Sequence, residues 1–196
     1  MKSHYFHEDL TVARRVFENK PVKHVDVGSR VDGFVAHVAS FREIEVFDIR
    51  PQTAIVKNIR FITADFMEVS PELYGYTDSL SSLNVIEHFG LGRYGDPIDV
   101  KGHLKGIQNM NKVLKKGGKF YFSTAIGPQR IEFNAHRVFN VAYLINLFEP
   151  DYTIDFFSYV NDRGDLFENV PLAEEDVRNN FGCVFGFGIF EMTKRF

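Results

Sequence analysis

The sequence lacks several features that mark particular classes of protein. It has one cysteine, Cys183, which excludes an internal disulfide and a cysteine-rich metal site. The formal net charge is -3 with no basic block, which argues against nucleic acid as the partner. No apolar run is long enough to span a membrane, and the N-terminal residues lack the apolar core of a signal peptide. We therefore expect a cytoplasmic protein with a small-molecule partner.

The apolar content is sufficient for one domain over residues 1–196. Hydrophobic residues make up 44% of the chain, including 21 phenylalanines. Segments typical of strands alternate with helical patterns, which predicts a mostly parallel sheet with helices on both faces. Within residues 1–20, apolar residues at helical spacing predict a helix that packs on the sheet. Its inward face is predicted to consist of Phe6, Leu10, Ala13 and Phe17.

Glycine and proline bound several of the other predicted elements. A helix over residues 101–116 is predicted to stop at Gly117 and Gly118, and Pro51 suits the first turn of another helix. Pro150 ends a predicted helix over residues 136–149. The remaining predictions are a helix over residues 33–41 and strands over residues 78–84, 119–124, 152–160 and 184–193.

A glycine turn follows the first predicted strand, in the segment HVDVGSRVDGF over residues 24–34. Gly28 and Gly33 stand where the backbone takes unusual angles or a ligand comes close. The amides at the start of the following helix favour a polar or anionic ligand. Asp26 is placed to order the loop from beneath. The segment predicts a loop that handles a nucleotide.

Acidic residues end the next two predicted strands. Asp48 follows Gly28 by twenty residues, a spacing typical of a βαβ unit in which the carboxylate accepts hydrogen bonds from ribose hydroxyls. Asp65 ends the third strand, RFITADF, and is placed with Phe66 to contact adenine. The alternative for Asp65 is a turn residue without a ligand. Together these strand ends predict an edge that holds a nucleoside.

Five segments resemble class I S-adenosylmethionine-dependent methyltransferases of the minimal Rossmann-like kind. They are VDVGS, VFDI, ITADF, SSLNVIEHF and VLKKGGKFYFST, and the resemblance covers nearly the whole chain. The chain also resembles a small group of uncharacterised methyltransferase-like proteins marked by a GRYGDP loop and an FNAHR segment. These motifs occupy residues 92–97 and 133–137.

The resemblance implies an α/β fold, a Rossmann-like class I methyltransferase sandwich with helices on both faces. Its sheet has seven mostly parallel strands with an antiparallel C-terminal strand, and the two late strands form an antiparallel hairpin at the sheet edge. The implied cofactor is S-adenosylmethionine. The residues that the resemblance assigns to cofactor binding are Asp26, Gly28, Ser29, Gly33, Asp48, Ile49, Asp65, Phe66 and Asn84.

The glycine loop departs from the family pattern G-x-G-x-G. Arg30 and Asp32 stand where two of its glycines are expected. Their side chains either crowd the methionine portion of the cofactor or point outward and leave the backbone free. The first arrangement would give a non-catalytic protein that binds a partner or an enzyme of a glycan pathway. Fold alone does not decide between these alternatives.

The predicted chemistry follows the fourth and fifth strands, on the side where open α/β sheets bind ligands. The family resemblance places Glu87 and His88 over the cofactor, with Glu87 toward the substrate. His88 is predicted to accept the proton of a hydroxyl as the oxygen attacks the sulfonium methyl. The alternatives are that His88 caps the strand end, or that His136 is the base. Asn134 and Arg137 are predicted to orient the substrate, although Asn134 would equally cap the next helix.

The loop over residues 89–99 is dense in polar side chains. Tyr94 is predicted to stack on a sugar or another ring, and Arg93, Asp96 and Asp99 to bind the substrate. The alternative is an ordinary surface loop.

We interpret the chain as a methyltransferase that acts on oxygen of a small hydroxylated acceptor such as a sugar. A nicotinamide-dependent oxidoreductase is a weaker alternative. Such an enzyme uses G-x-G-x-x-G, and this spacing is missing after the first strand. The short-chain kind also needs a tyrosine followed four residues later by lysine, which this sequence lacks. His4, His7 and Glu8 have helical spacing but favour an exposed turn over a metal site, so no metal is predicted.

Overall fold

The computed structural model describes residues 4–132 and 135–196, and its central feature is a mixed sheet of eight strands. The predicted substrate residue Asn134 lies outside the described residues. The strands of the sheet are β1 (His24–Val27), β2 (Ile44–Asp48), β3 (Ile59–Thr63), β4 (Thr77–Leu83), β5 (Leu114–Ile126), β8 (Tyr152–Val160), β9 (Leu166–Phe167) and β10 (Gly186–Lys194). A separate ribbon pairs β6 (Arg130–Glu132) with β7 (His136–Val138).

The strand order is β3-β2-β1-β4-β5-β10-β8-β9, with the first five strands of this order parallel. The C-terminal strand β10 lies between β5 and β8 and is antiparallel to both. Every residue of β1 is buried, as is typical of a central parallel strand covered on both faces. This arrangement confirms the predicted α/β fold with its antiparallel C-terminal strand.

Helices cover both faces of the sheet. They are α1 (His4–Asn19), α2 (Ala36–Ala39), α3 (Gly102–Val113), α4 (Val141–Phe148) and α5 (Glu174–Arg178). On one face, α1 and α2 bury Val12, Val16 and Val38 against the sheet. On the other face, α3 and α4 bury Met110 and Phe148. Among the described residues, no helix is long and apolar enough to cross a membrane.

Helix α1 forms where the periodicity predicts it but turns a different face to the sheet. Phe6, Leu10 and Phe17 are exposed by 39%, 42% and 57%, whereas Ala13 is buried as predicted. The buried face consists of Glu8, Asp9, Val12, Ala13 and Val16. The small aliphatic residues allow the helix to approach the sheet closely. Ser123 and Asn84 hydrogen-bond to the Glu8 carboxyl group, so the apolar pattern alone selected the wrong face.

Three other element predictions were wrong. No helix follows Pro51, because residues 51–55 all have exposed side chains and provide no face to bury. Helix α3 ends at Val113 and β5 begins at once. Gly117, with φ of +75°, lies in an irregularity of the β4–β5 pairing instead of capping the helix. The predicted helix over residues 136–149 is divided into β7 and α4, and Asn140 caps α4 by accepting a hydrogen bond from the Tyr143 amide at 3.2 Å.

The number and connection of the late strands also differ from expectation. The sheet has eight strands because the two-residue strand β9 pairs with β8 at the edge. Strands β8 and β10 pair antiparallel as predicted. They do not form a simple hairpin, because β9 and α5 lie between them in the chain.

Gly33 allows α1 to dock. A Cβ atom at this position would overlap Asp9 Oδ2 on the buried face of the helix. Gly33 was predicted to allow either an unusual backbone conformation or a close approach of the cofactor. The structure gives it non-helical angles, φ of -119° and ψ of -111°, and places it under α1. Its lack of a side chain therefore serves helix packing.

We expect Gly33→Ala to lower the free energy of unfolding by about 1–3 kcal/mol, because the added methyl group overpacks the contact with Asp9. Urea denaturation measures the loss. The matched variant Asp9→Ala/Gly33→Ala removes the overlapping carboxylate, so the glycine substitution should cost less in that background. Equal losses in the two backgrounds would contradict this role for Gly33.

Candidate functional site

A pocket of about 360 Å³ opens at the carboxyl ends of β1, β2, β3 and β4. Ligands bind at this edge in open α/β sheets. Predicted cofactor residues that line it are Gly28, Ser29, Asp48, Ile49, Asp65, Phe66 and Asn84. Predicted catalytic or substrate residues that line it are His88, Tyr94 and Asp96. The structure therefore brings the two predicted groups together in one pocket.

The remaining predicted residues lie around this pocket and do not line it. Asp26 is fully buried beneath the glycine loop, and Gly33 lies under α1. Glu87 and Arg137 are buried, with 3% and 4% exposure. The other predicted residues outside the pocket wall are Arg93, Asp99 and His136.

The glycine loop is ordered by the Asp26 carboxylate. Its oxygens accept hydrogen bonds from the Ser29 amide at 2.9 Å, the Ser29 hydroxyl at 2.6 Å and the Ser81 hydroxyl at 2.6 Å. Burial raises the pKa of Asp26 to about 6. Gly28 has a φ of +73°, and a Cβ atom there would lie 2.7 Å from Val85 Cγ1. Both the turn and the close approach require glycine at this position.

Arg30 and Asp32 point outward. Their side chains pair with each other at 3.0 Å and are exposed by 54% and 77%. The Arg30 guanidinium lies over the ring of Tyr5, 4.9 Å from its centroid. The residues that replace the family glycines therefore line the mouth of the pocket and leave its interior open. Tyr5, contributed by α1, is a lining residue that sequence reasoning missed.

Arg50 is a second missed residue. Its Nε and Nη2 atoms donate to the two oxygens of Asp48 at 2.9 and 2.7 Å, and its guanidinium lies 4.8 Å from the Tyr94 ring centroid. Asp48 Oδ1 also accepts the Arg50 amide at 2.8 Å. Asp48 Oδ2 accepts a single hydrogen bond from the described residues, so it retains capacity for a ligand hydroxyl.

His88 has a defined tautomer. Its Nδ1–H donates to the Ala135 carbonyl oxygen at 2.8 Å, and because a carbonyl only accepts, the neutral ring carries its lone pair on Nε2. Burial lowers the pKa of His88 to about 4, so the imidazole is neutral at physiological pH. His136 lies nearby, with its ring centroid 6.1 Å from that of His88. His136 Nε2 is buried without a hydrogen-bond partner among the described residues.

The polar loop over residues 89–99 is held by its own acids. Asp96 accepts hydrogen bonds from the amides of Gly90, Gly92 and Tyr94 at 2.7, 3.3 and 3.1 Å. Asp99 accepts from the Lys101 amide at 2.8 Å and pairs with Lys105 at 2.6 Å. These carboxylates, predicted to bind substrate hydroxyls, thus shape the loop.

The two predicted substrate arginines fasten neighbouring segments to each other. Arg93 Nη1 donates to the Ala135 carbonyl at 3.0 Å, the same oxygen that holds His88. Arg137 Nη1 donates to the Phe89 carbonyl at 2.6 Å. The segments over residues 92–97 and 135–137 therefore hydrogen-bond to each other and to the turn that contains His88.

Two carboxyl groups are buried behind the pocket. Glu8 on α1 is bonded to the Ser123 hydroxyl and to Asn84 Nδ2, the latter at 2.7 Å. Glu87 accepts a hydrogen bond from the Thr124 hydroxyl at 3.1 Å. Burial raises the pKa of each glutamic acid to about 8. Ser123 and Thr124, two neighbouring polar residues near the end of β5, were the sequence feature that could have indicated buried acids. Among the described residues, no group of three side chains is arranged to hold a metal ion.

These buried acids predict that stability falls as pH rises. Between the ordinary pKa of 4.5 and the folded-state pKa of about 8, Glu87 keeps a proton that the unfolded chain has lost. We expect the free energy of unfolding of Glu87→Gln to fall less steeply with pH than that of wild type, by about 1.4 kcal/mol per pH unit. Urea denaturation across that pH window measures it.

Glu72→Gln, which changes an exposed carboxyl, is the matched control and should keep the wild-type slope. A Glu87→Gln slope equal to that of wild type would show that Glu87 is ionised in the folded protein.

Solved structures with a similar fold include two methyltransferases and a cyclase. The 1,6-didemethyltoxoflavin-N1-methyltransferase of Burkholderia thailandensis, with S-adenosylhomocysteine bound, has a TM-score of 0.67 at 11% identity, covering 97% of this chain and 80% of its own. The N-methyltransferase NodS of Bradyrhizobium japonicum, also with S-adenosylhomocysteine, has a TM-score of 0.61 at 13% identity, and the match covers 96% of this chain and 86% of NodS. The cyclase SpnF has a TM-score of 0.65 at 13% identity, and the match covers 96% of this chain and 81% of SpnF.

At these identities the likeness shows the fold alone, which is the Rossmann-like fold of class I S-adenosylmethionine-dependent methyltransferases. No protein of curated function matches the sequence. A family model described as "Caenorhabditis protein of unknown function, DUF268" matches residues 35–181, which is most of the chain. The matched span includes β2 to α5 and the whole polar loop. The chain therefore belongs to the DUF268 family.

Proposed function

We propose that the protein is an S-adenosylmethionine-dependent methyltransferase that acts on a hydroxyl oxygen of a small acceptor such as a sugar, in the cytoplasm. One observation carries this proposal. A single pocket extends from Asp48, at the end of β2, to His88, after β4. It thus joins the residues predicted to hold a nucleoside to a neutral imidazole with a defined tautomer.

The residues of the pocket fit the cofactor. Asn84 Oδ1 is buried with no hydrogen-bond partner among the described residues, so a ligand that donates a hydrogen bond would satisfy it. The pocket volume of about 360 Å³ is typical of small-molecule sites. Asp48 would hold the ribose and Phe66 the adenine, and the bare backbone of Gly28 would leave room for the rest of the cofactor. The cofactor supplies a methyl group activated by a sulfonium.

His88 has a free acceptor nitrogen, and the burial that keeps the ring neutral also makes it a weak base. The Ala135 carbonyl holds Nδ1–H, so Nε2 is left to take the proton of an acceptor hydroxyl. Positioning of the hydroxyl by the surrounding loop provides much of the rate, because methyl transfer depends on alignment.

Tyr94 supports a sugar as the acceptor. Its ring lies edge-on to His88, with centroids 5.4 Å apart, at the rim of the same pocket. Arg50 and Arg93 lie 4.8 and 5.7 Å from its centroid and hold the ring in place. An aromatic side chain beside the base offers an apolar surface for a sugar ring and a polar hydroxyl tip.

Cofactor binding is tested by calorimetric titration with S-adenosylmethionine, S-adenosylhomocysteine and NADH. We expect micromolar binding of both sulfur nucleosides, about -8 kcal/mol, and none of NADH. Asp48→Asn should weaken binding about tenfold or more, because the amide presents a donor where the ribose needs an acceptor. Asp165→Asn, on an exposed turn, is the matched control and should bind like wild type.

Binding of NADH alone would favour the oxidoreductase alternative. A folded protein that binds none of the three would favour the non-catalytic alternative.

The base is tested by comparing His88→Ala with His136→Ala, using a sugar acceptor found by screening for methyl incorporation. We expect His88→Ala to lower kcat about 100-fold or more and His136→Ala to lower it less than about tenfold. Because the neutral ring is the base and its pKa is about 4, the wild-type kcat should be flat near neutrality and fall as pH drops toward 4. A larger loss in His136→Ala would assign the base to His136.

A further inference from the structure

Asn84 joins the pocket to the N-terminal helix. It follows β4 with a φ of +56°, and its side chain lines the pocket. Nδ2 donates to Glu8 Oε2 at 2.7 Å, whereas Oδ1 is buried with no partner among the described residues. The Asn84 Nδ2 atom is therefore held by Glu8, and the Oδ1 atom can accept a hydrogen bond from a ligand.

Glu8 is fixed on both sides. Its second oxygen bonds to the Ser123 hydroxyl near the end of β5, and the side chain is completely buried. The helix that carries Glu8 is docked by close contact of Asp9 with Gly33. A carboxyl oxygen held in this way accepts a hydrogen bond from only one end of a neighbouring amide, the NH₂ group.

We propose that Glu8 is a positioning residue for the ligand pocket, which fixes the Asn84 amide so that Oδ1 accepts a hydrogen bond from the ligand. The ligand class this selects is one that presents an N–H or O–H donor at the end of β4, such as an ammonium or a hydroxyl group. The identity of that ligand as the methyltransferase cofactor rests on the proposed function, but the orientation of the amide does not.

The protonation state of Glu8 is compatible with this role. Burial raises its pKa to about 8, so the carboxyl is largely neutral near physiological pH. Glu8 Oε1 accepts from the Ser123 hydroxyl, and Oε2 accepts from Asn84 Nδ2. The contact with Asn84, together with Tyr5 at the pocket wall, makes α1 part of the site.

The test combines four variants with two measurements. Glu8→Met removes both hydrogen bonds at similar length, Glu8→Gln retains them, and Asn84→Gly removes the amide while tolerating the positive φ. The double variant Glu8→Met/Asn84→Gly completes a thermodynamic cycle. Asp9→Asn is the matched control, because it changes the adjacent buried acid, which has no hydrogen bond to Asn84.

The first measurement needs no ligand. In ¹⁵N-labelled protein, the Asn84 NH₂ resonances should be protected from solvent exchange in wild type, Glu8→Gln and Asp9→Asn. They should lose that protection in Glu8→Met. The second measurement is the Kd for S-adenosylhomocysteine, expected to rise about tenfold in Glu8→Met, Asn84→Gly and the double variant alike. Circular dichroism confirms that each variant is folded.

Unchanged protection of the Asn84 amide in folded Glu8→Met would overturn the proposal, as would loss of protection in Glu8→Gln. Additive weakening in the double variant would also overturn it, since Glu8 would then act independently of Asn84. If neither the wild type nor any variant binds S-adenosylhomocysteine, the proposed function fails. The positioning role still stands if the Asn84 amide is protected in the proteins that have glutamate or glutamine at position 8.

Discussion

The pocket is built on carboxyl groups that are buried without cationic partners among the described residues. Asp26 is bonded to Ser29 and Ser81, Glu87 to Thr124, and Glu8 to Ser123 and Asn84. An unpaired buried charge is costly, and hydroxyl and amide groups that donate to the carboxyl oxygens reduce that cost. The hydroxyl groups of Ser81, Ser123 and Thr124 therefore support the carboxyl groups around the pocket.

The residues at the ends of the strands could be predicted from the sequence. Gly28, Asp48 and Asp65 stand at the carboxyl ends of strands, and an apolar run followed by glycine or acid locates such ends well. The parallel sheet then brings them to one edge, as predicted. Local patterns sufficed here because strand order in this kind of sheet follows from chain order and handedness.

The rest depends on contacts between residues distant in sequence. The inward face of α1 was mispredicted because the partners of Glu8 lie 76 and 115 residues away. The hydrogen bonds of Asp96 to its own loop require turn geometry that composition does not reveal. Arg50 follows Asp48 by two residues, yet its position over Tyr94 depends on a loop from another part of the chain.

The two segments singled out by their motifs act on the same turn. The Ala135 carbonyl receives hydrogen bonds from His88 and Arg93, and the Phe89 carbonyl receives one from Arg137. A single carbonyl therefore fixes the tautomer of the imidazole and anchors the loop that carries Tyr94. The imidazole and the loop therefore share one hydrogen-bond acceptor, the Ala135 carbonyl oxygen.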